Sequence, residues 1–260
     1  MRSVAPQALT TDLSAAHRPV TEIRLGIVCP MANEAATAVR FVDTVLAECR
    51  RHELASVTFF AILDTVSSDD TRTLLERHQK LEGDLAVVWA PETRGVSDAY
   101  QRGYREALAA DCDWILEIDA GFSHDPADIA AFLTTMADGY DCVLGSRFIP
   151  GGKDLAATGR RVVSRCGTAL TNAVLGTRLT DMTSGFELFS RAALEKVLAK
   201  GISAKGPFFQ TEIKVHCRNL LIAEVPIRYS AGSHKVGRRA IGESLAILWR
   251  LFRLRLGGTL

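Results

Sequence analysis

The chain lacks most of the features that mark the commoner kinds of site. Its six cysteines (Cys29, Cys49, Cys112, Cys142, Cys166, Cys217) are scattered and form no C-x-x-C pair. That excludes a zinc ribbon and argues for reduced, buried thiols in a cytoplasmic protein rather than a disulfide frame. No apolar run approaches the roughly 20 residues needed to cross a bilayer. Met1 to Thr21 has no apolar signal core, so residues 1–21 are expected to form a flexible N-terminal arm. Neither charge is in excess, with 31 Lys+Arg against 30 Asp+Glu and a net charge of +1, so nothing global points to nucleic acid. There is no G-x-x-x-x-G-K-S/T, no G-x-G-x-x-G after the first apolar run and no G-x-S-x-G. A P-loop NTPase, a dinucleotide dehydrogenase and an elbow-type hydrolase are therefore disfavoured.

What remains is an ordinary globular composition, 47% hydrophobic over 260 residues, enough for a substantial core. Compact apolar runs at Ile23–Cys29, Val57–Leu63, Leu85–Ala90, Trp114–Ile118 and Asp141–Gly145 read as buried strands. Between them lie segments of helical period: Ala35–Arg51, a stretch reaching about Lys80, another from Gly95 to about Ala110, and Pro126 to about Asp138. This alternation predicts an α/β fold with a mainly parallel sheet and helices on both faces. The rhythm then changes. Ser146 to Lys153 is a basic loop, Arg160 to Gly176 a helix, Glu187–Phe189 a short strand, and Ala192–Lys200 and Phe208–Asn219 helices. Leu221–Tyr229 reads as an edge strand, because Pro226 cannot donate to a ladder.

Two of the early strands end in acids, Asp64 and Asp119, which a parallel sheet would gather at one edge. In such sheets ligands collect at the carboxyl ends of the strands. Carboxylates there can hold a divalent cation or sugar hydroxyls, or merely cap the following helix. The C-terminal part is basic: Arg228, Lys235, Arg238, Arg239, Arg250, Arg253 and Arg255 face a single acid, Glu243, which suits an anionic surface or phosphate. Ile241–Leu256 has Leu245, Leu248, Trp249, Phe252 and Leu256 at helical spacing among arginines. It reads as an amphipathic helix for a lipid interface, or alternatively as a last core helix or a subunit contact.

The order of motifs resembles the family-2, GT-A-fold glycosyltransferases, most closely the polyprenol (dolichol)-phosphate mannose/glucose synthases. The resemblance runs from about Ile23 to Ile247. It rests on Pro30-Met31-Ala32-Asn33-Glu34, Asp64 to Arg72, Glu117 to Pro126, Gly145-Ser146-Arg147-Phe148, Thr183-Ser184-Gly185-Phe186, Phe209-Gln210-Thr211-Glu212 and Glu224-Val225-Pro226-Ile227 before a Gly-Ser-x-Lys loop. It implies a GT-A-like (Rossmann-like) catalytic domain over 22–240, with the basic amphipathic helix and tail over 241–260. The implied activity is an inverting transfer of a hexose-type sugar from a nucleotide diphosphate to a polyprenyl phosphate, by a cytoplasmic protein in peripheral contact with the membrane. Pro30, Glu34 and Asp64 would line the nucleoside pocket. Asp119 and Gln210 would hold Mg2+ or Mn2+ on the donor diphosphate. Arg147, Arg160, Ser164 and Lys235 would grip the acceptor phosphate, making Asp119 and Arg147 the catalytic pair.

This sequence departs from the family pattern on the donor side. Where the family has D-x-D, the chain has Asp119-Ala120-Gly121. The paired acids after the second strand are Asp64-Thr65, and the aromatic of the first motif is Ala32. Glu117 or Asp125 are candidates to replace the missing charge in part. A soluble small-molecule acceptor and a non-catalytic nucleotide-sugar binding protein are the alternatives. Of the neighbouring residues, His124 reads as a loop-ordering imidazole ahead of a catalytic one. Asp181 reads as a turn former, Phe208-Phe209 as core, and only one of Gln210 and Glu212 is expected to reach a metal.

Overall fold

The structure is a computed structural model that describes residues 18–230 and 238–260. The expected arm up to residue 17 and the loop carrying Lys235 lie outside the described residues. After a single 3-10 turn (Val20–Glu22) the chain enters β1 (Arg24–Pro30). There follow α1 (Ala38–Cys49), β2 (Ser56–Leu63), α2 (Thr71–His78), β3 (Leu85–Trp89), α3 (Val96–Ala109) and β4 (Trp114–Glu117). Then come α4 (Ile129–Met136), β5 (Cys142–Ser146), β6 (Lys153–Asp154), α5 (Thr158–Leu175), β7 (Glu187–Ser190) and α6 (Arg191–Lys200). The chain continues through α7 (Phe209–His216), β8 (Ile222–Pro226), β9 (Arg228–Tyr229) and α8 (Arg238–Leu256).

Seven strands form one sheet in the order β3-β2-β1-β4-β7-β5-β8. All neighbouring pairs are parallel except those of β7, which runs antiparallel to both β4 and β5. The expected edge position of the Pro226 strand is observed, and Arg228–Tyr229 separates from it to pair with β6 in a small second sheet. Alternation on β1 explains the two layers. Leu25, Ile27 and Cys29 face a core with Phe41, Val42, Val45 and Leu46 of α1 and Phe132, Leu133 and Met136 of α4. Val28 faces the opposite one, with Tyr100, Tyr104 and Ala107 of α3, Leu194 and Val197 of α6 and Ile213 of α7. Each such buried aliphatic or aromatic side chain contributes about 1.5–3 kcal/mol. On the second face α3 lies very close to the sheet: a Cβ on Gly103 would stand 2.2 Å from Cγ1 of Val28, so only glycine fits.

The chain turns back between β1 and β4. From β1 the strands β2 and β3 extend one way, and β4 lies on the other side. This switch opens a crevice at the carboxyl ends of β1 and β4, the place where open α/β sheets take ligands. Helix α5 buries only Ser164, Thr168, Thr171 and Leu175, so it is a cover for that edge and not a sheet-packing helix. Helix α8 lies beside it. Leu248 and Leu251 pack with Leu175, Met182 and Val215 in a third small core. Polar ties reinforce the seam: Glu243 accepts from the backbone N–H groups of Lys205 and Gly206 (2.7 and 3.0 Å), and Arg250 meets Glu212 at 3.1 Å. The other face of α8 leaves Leu245, Trp249 and Leu256 exposed. The helix is therefore docked along one stripe and open along another.

Candidate active site

Asp119 follows β4 at the switch point and opens onto a cavity of about 550 Å³. Arg147, Arg160, Ser164 and Gln210 line the same cavity. Its outer wall is apolar, from Val163 and Leu170 of α5, Phe208 just before α7, and Leu245 and Leu248 of α8. A second, smaller cleft beside it is lined by Pro30, Glu34, Asp64 and Ala120, and Val96 borders both. The two acids expected at one sheet edge thus share it, and Asp119 and Arg147 share a chamber.

Asp119 is held by Tyr100, whose hydroxyl donates to Oδ1 at 2.8 Å, and by His124, whose Nε2 stands 3.5 Å from Oδ2. Burial pulls the Asp119 carboxyl upward, but His124, the Tyr100 hydroxyl and the field of Arg160 outweigh it and leave it below the ordinary carboxylate value. It is an anion at neutral pH. The His124 imidazole is buried between the rings of Phe186 and Tyr229, each 5.1 Å away. It orders the loop and also faces the acid.

Neither suggested substitute for the missing charge is available. Glu117 is fully buried, accepting from the Tyr104 hydroxyl and from Nε2 of Gln210, and it lies opposite Glu187 across the β4–β7 pair. Burial and that second carboxylate push the Glu117 carboxyl well above the usual range. Asp125 accepts from the backbone N–H of Ala127 (3.0 Å) as a cap and pairs with Arg228 at 3.0 Å. Beneath these, Lys214 is buried 3.0 Å from Glu187, whose carboxyl burial lifts to about 7 against the pull of that ammonium.

On the cationic side, Arg147 is only 5% exposed. It makes a bidentate pair with Asp181 (Nε–Oδ2 2.7 Å, Nη2–Oδ1 2.8 Å) and donates to Oγ1 of Thr183 at 2.6 Å. Asp181 is therefore more than a turn former, since it fixes the guanidinium as the floor of the chamber. Burial raises the Asp181 carboxyl, but Arg147 overrides this and lowers it to about 2. Arg160 projects from the first turn of α5 and donates from Nη2 to the Tyr229 hydroxyl at 3.0 Å. Tyr229, unremarkable in the sequence, is the hub: its ring also lies 5.2 Å from the Arg147 guanidinium carbon and 5.6 Å from that of Arg160. Only its place at the end of an apolar run beside the basic loop could have signalled it.

In the smaller cleft Asp64 accepts from the Val66 N–H (2.9 Å) and the Thr93 hydroxyl (3.0 Å), so it also braces its loop. Glu212 is fully buried and accepts from the N–H groups of Ser203 and Ala204 (2.9 and 2.7 Å). That leaves Gln210 as the member of the pair facing the site. Gln210 is 6% exposed, and its Oε1 accepts no hydrogen bond from the described residues. Among the described residues no group of three or more His, Cys, Asp or Glu could hold a metal. Ionised Asp119 and the orphaned amide oxygen of Gln210 fit a hard divalent cation that takes its remaining oxygens from a diphosphate and water.

The model of glycosyl transferase family 2 matches residues 26–198. This chain belongs to that family. The undecaprenyl-phosphate mannosyltransferase of Micrococcus luteus is 30% identical over 210 residues, covering 75% of this chain and 86% of that protein. The polyprenol monophosphomannose synthase of Mycolicibacterium smegmatis is 26% identical over 208 residues, covering 78% and 76%. Among solved structures, glucosyl-3-phosphoglycerate synthase from Mycobacterium tuberculosis bound to UDP superposes with a TM-score of 0.64 at 18% identity, over 89% of this chain and 80% of that one. The same protein with Mn2+, UDP-glucose and phosphoglyceric acid gives 0.61 at 20%, over 87% and 80%. At such identities these structures speak to fold, and they match the GT-A-like architecture expected of the sequence. The chain is a glycosyltransferase.

Proposed function

We propose that this glycosyltransferase moves a hexose-type sugar from a nucleoside diphosphate onto a polyprenyl phosphate at the cytosolic face of a membrane. The observation that carries the reading is the chamber itself: an ionised carboxylate, a basic pair and an apolar wall open onto one space. The names of the two relatives support the acceptor class. Pro30, Glu34 and Asp64 line the cleft for the nucleoside, which leads toward Asp119 and the diphosphate. Arg147, Arg160 and Ser164 take the acceptor phosphate, and Lys235 belongs to the same group by its place in the Gly-Ser-x-Lys loop. The apolar wall of α5 and α8 receives the first isoprene units.

The acceptor phosphate needs little activation, because a phosphate monoester is already an anionic oxygen nucleophile near neutral pH. The arginines orient one phosphate oxygen toward the anomeric carbon. The new C–O bond forms as the bond to the diphosphate breaks, and in-line attack inverts that carbon. A divalent cation, when bound at Asp119 and Gln210, supplies neutralisation of charge on the departing diphosphate. His124 and Tyr100 keep Asp119 ionised and pointed. Among the described residues no helix is long and apolar enough to cross a membrane, so contact would be peripheral, through the exposed stripe of α8.

The test is product formation from radiolabelled GDP-mannose, UDP-glucose and UDP-N-acetylglucosamine with a short polyprenyl phosphate in detergent, with phosphoglycerate as a soluble acceptor in a parallel arm. Label appearing in the organic phase supports the reading. Label appearing only on the soluble acceptor would overturn the lipid assignment, and no transfer with any donor would overturn catalysis.

A further inference from the structure

Gly121 lies two positions beyond Asp119 with a φ of +75°, and no side chain projects from it. The volume a side chain would enter is occupied. A Cβ on Gly121 would stand 2.9 Å from Oε1 and 3.0 Å from Oε2 of Glu34. The carboxylate of Glu34 therefore reaches from the β1–α1 loop onto the very face of Gly121. It is held there firmly. The Glu34 N–H donates to Oγ1 of Thr71 (2.8 Å), its Oε2 accepts from Oγ1 of Thr37 (2.6 Å), and its carbonyl accepts from the N–H of Ala38 (2.8 Å) at the start of α1. Oε1 is the oxygen nearer Gly121. Oε1 of Gln210, more than nine-tenths buried in the lining of the Asp119 cavity and without a partner among the described residues, is the independent sign of a cation beside Asp119.

We propose that Glu34 supplies the second carboxylate of the cation site, taking over from a different loop the place that Gly121 leaves empty. Asp119, Glu34 and the amide oxygen of Gln210 would then present two charges and one neutral oxygen, a donor set suited to Mg2+ or Mn2+ carried with a diphosphate. This rests on the metal-dependent donor binding proposed above. It also gives the glycine a reason: an aspartate at 121 and the glutamate at 34 would compete for the same space and repel.

The experiment is calorimetric titration of the full chain with GDP and UDP, each in Mn2+ and in EDTA, with Mn2+ paramagnetic resonance as a second readout and thermal melting to confirm folding. The variants are Glu34→Gln, Glu34→Ala, Gly121→Asp and Glu34→Ala/Gly121→Asp. The wild type should bind the nucleotide more tightly with Mn2+. Glu34→Gln and Glu34→Ala should lose about 10–100-fold of that increment, a loss well beyond any weakening they cause in EDTA. Gly121→Asp alone should gain nothing, whereas adding it to Glu34→Ala should restore part of the increment. If Glu34→Gln weakens binding equally in Mn2+ and EDTA, Glu34 touches the nucleoside instead and the proposal falls. A wild type with no Mn2+ increment would overturn the metal reading itself, a result distinct from a wild-type increment that survives loss of Glu34.

Discussion

Nε2 of His124 stands 3.5 Å from Oδ2 of Asp119, with the imidazole clamped between Phe186 and Tyr229. The contact sets a buried ring against the carboxylate that follows β4. Replacing it by a ring without nitrogens, His124→Phe, should preserve packing and remove one of the contributions that hold Asp119 below its ordinary value against burial. A carboxylate with a lowered pKa stays active as pH falls, so the acid limb of the wild-type kcat/KM profile should lie at lower pH than that of the variant. The loss at neutral pH should be about 10–100-fold, as for groups that orient a metal-ligating side chain. Coincident acid limbs in the two profiles would show that the imidazole only fills space.

Asp181 makes a stability prediction with a defined pH window. Its carboxyl sits at about 2 in the fold because Arg147 outweighs burial, against roughly 3.9 in an unfolded chain. The folded state binds this proton less readily, so the contribution is complete above the unfolded value and is lost as pH falls toward 2. It amounts to about 2.6 kcal/mol. Asp181→Asn should lower the urea midpoint at pH 6 and narrow the gap to wild type at pH 3. Asp181→Ala should cost more, about 3–5 kcal/mol, because it strands a buried guanidinium. A wild-type-to-Asn difference that stays constant from pH 6 to pH 3 would count against the assignment.

Tyr229 should act on acceptor binding and not on the chemical step. Its hydroxyl fixes Arg160 at 3.0 Å and its ring lies against both arginines. Tyr229→Phe removes one hydrogen bond, worth about 1 kcal/mol, so KM for the phosphate acceptor should rise about fivefold with kcat nearly constant. Tyr229→Leu, which also removes the face seen by His124 and Arg147, should reduce both. A fall in kcat alone for Tyr229→Phe would mean that Arg160 works on the leaving group.

Much of this was legible in the residues. Buried runs of five to seven residues broken by polar turns read directly as parallel strands, and Asp64 and Asp119 at their carboxyl ends marked the edge that carries the two clefts. The reversed strand β7 was not legible. Glu187-Leu188-Phe189-Ser190 reads as the same short strand whichever way it runs, and its antiparallel pairing with β4 and β5 is set by tertiary neighbours. The pairings that organise the chamber were equally hidden: Arg147 with Asp181 spans 34 residues, and Tyr229 with Arg160 spans 69. Motif reading located the acids and bases. Which carboxylates are spent as braces, Glu117 on Gln210 and Asp125 on Arg228, depended on tertiary neighbours that no local pattern encodes.

The two stripes of α8 should separate under mutation. Leu251 is fully buried on Leu175, Met182 and Val215, whereas Trp249 is 62% exposed. Leu251→Ala should therefore destabilise the fold by about 2–5 kcal/mol, and Trp249→Ser should leave the melting temperature almost unchanged. Membrane affinity should respond the other way round. Trp249→Ser should weaken binding to vesicles of mixed phosphatidylcholine and phosphatidylglycerol roughly tenfold by removing an interfacial anchor. Arg253→Gln should weaken binding only where the vesicles are anionic, by about 1 kcal/mol, with the difference vanishing at high salt. Arg255 is not a fair partner for that comparison, since its guanidinium donates to the Val174 carbonyl at 2.6 Å and closes the end of α5. Sedimentation with vesicles of graded charge reads all three variants. If Trp249→Ser sediments like the wild type, the exposed stripe meets something other than lipid.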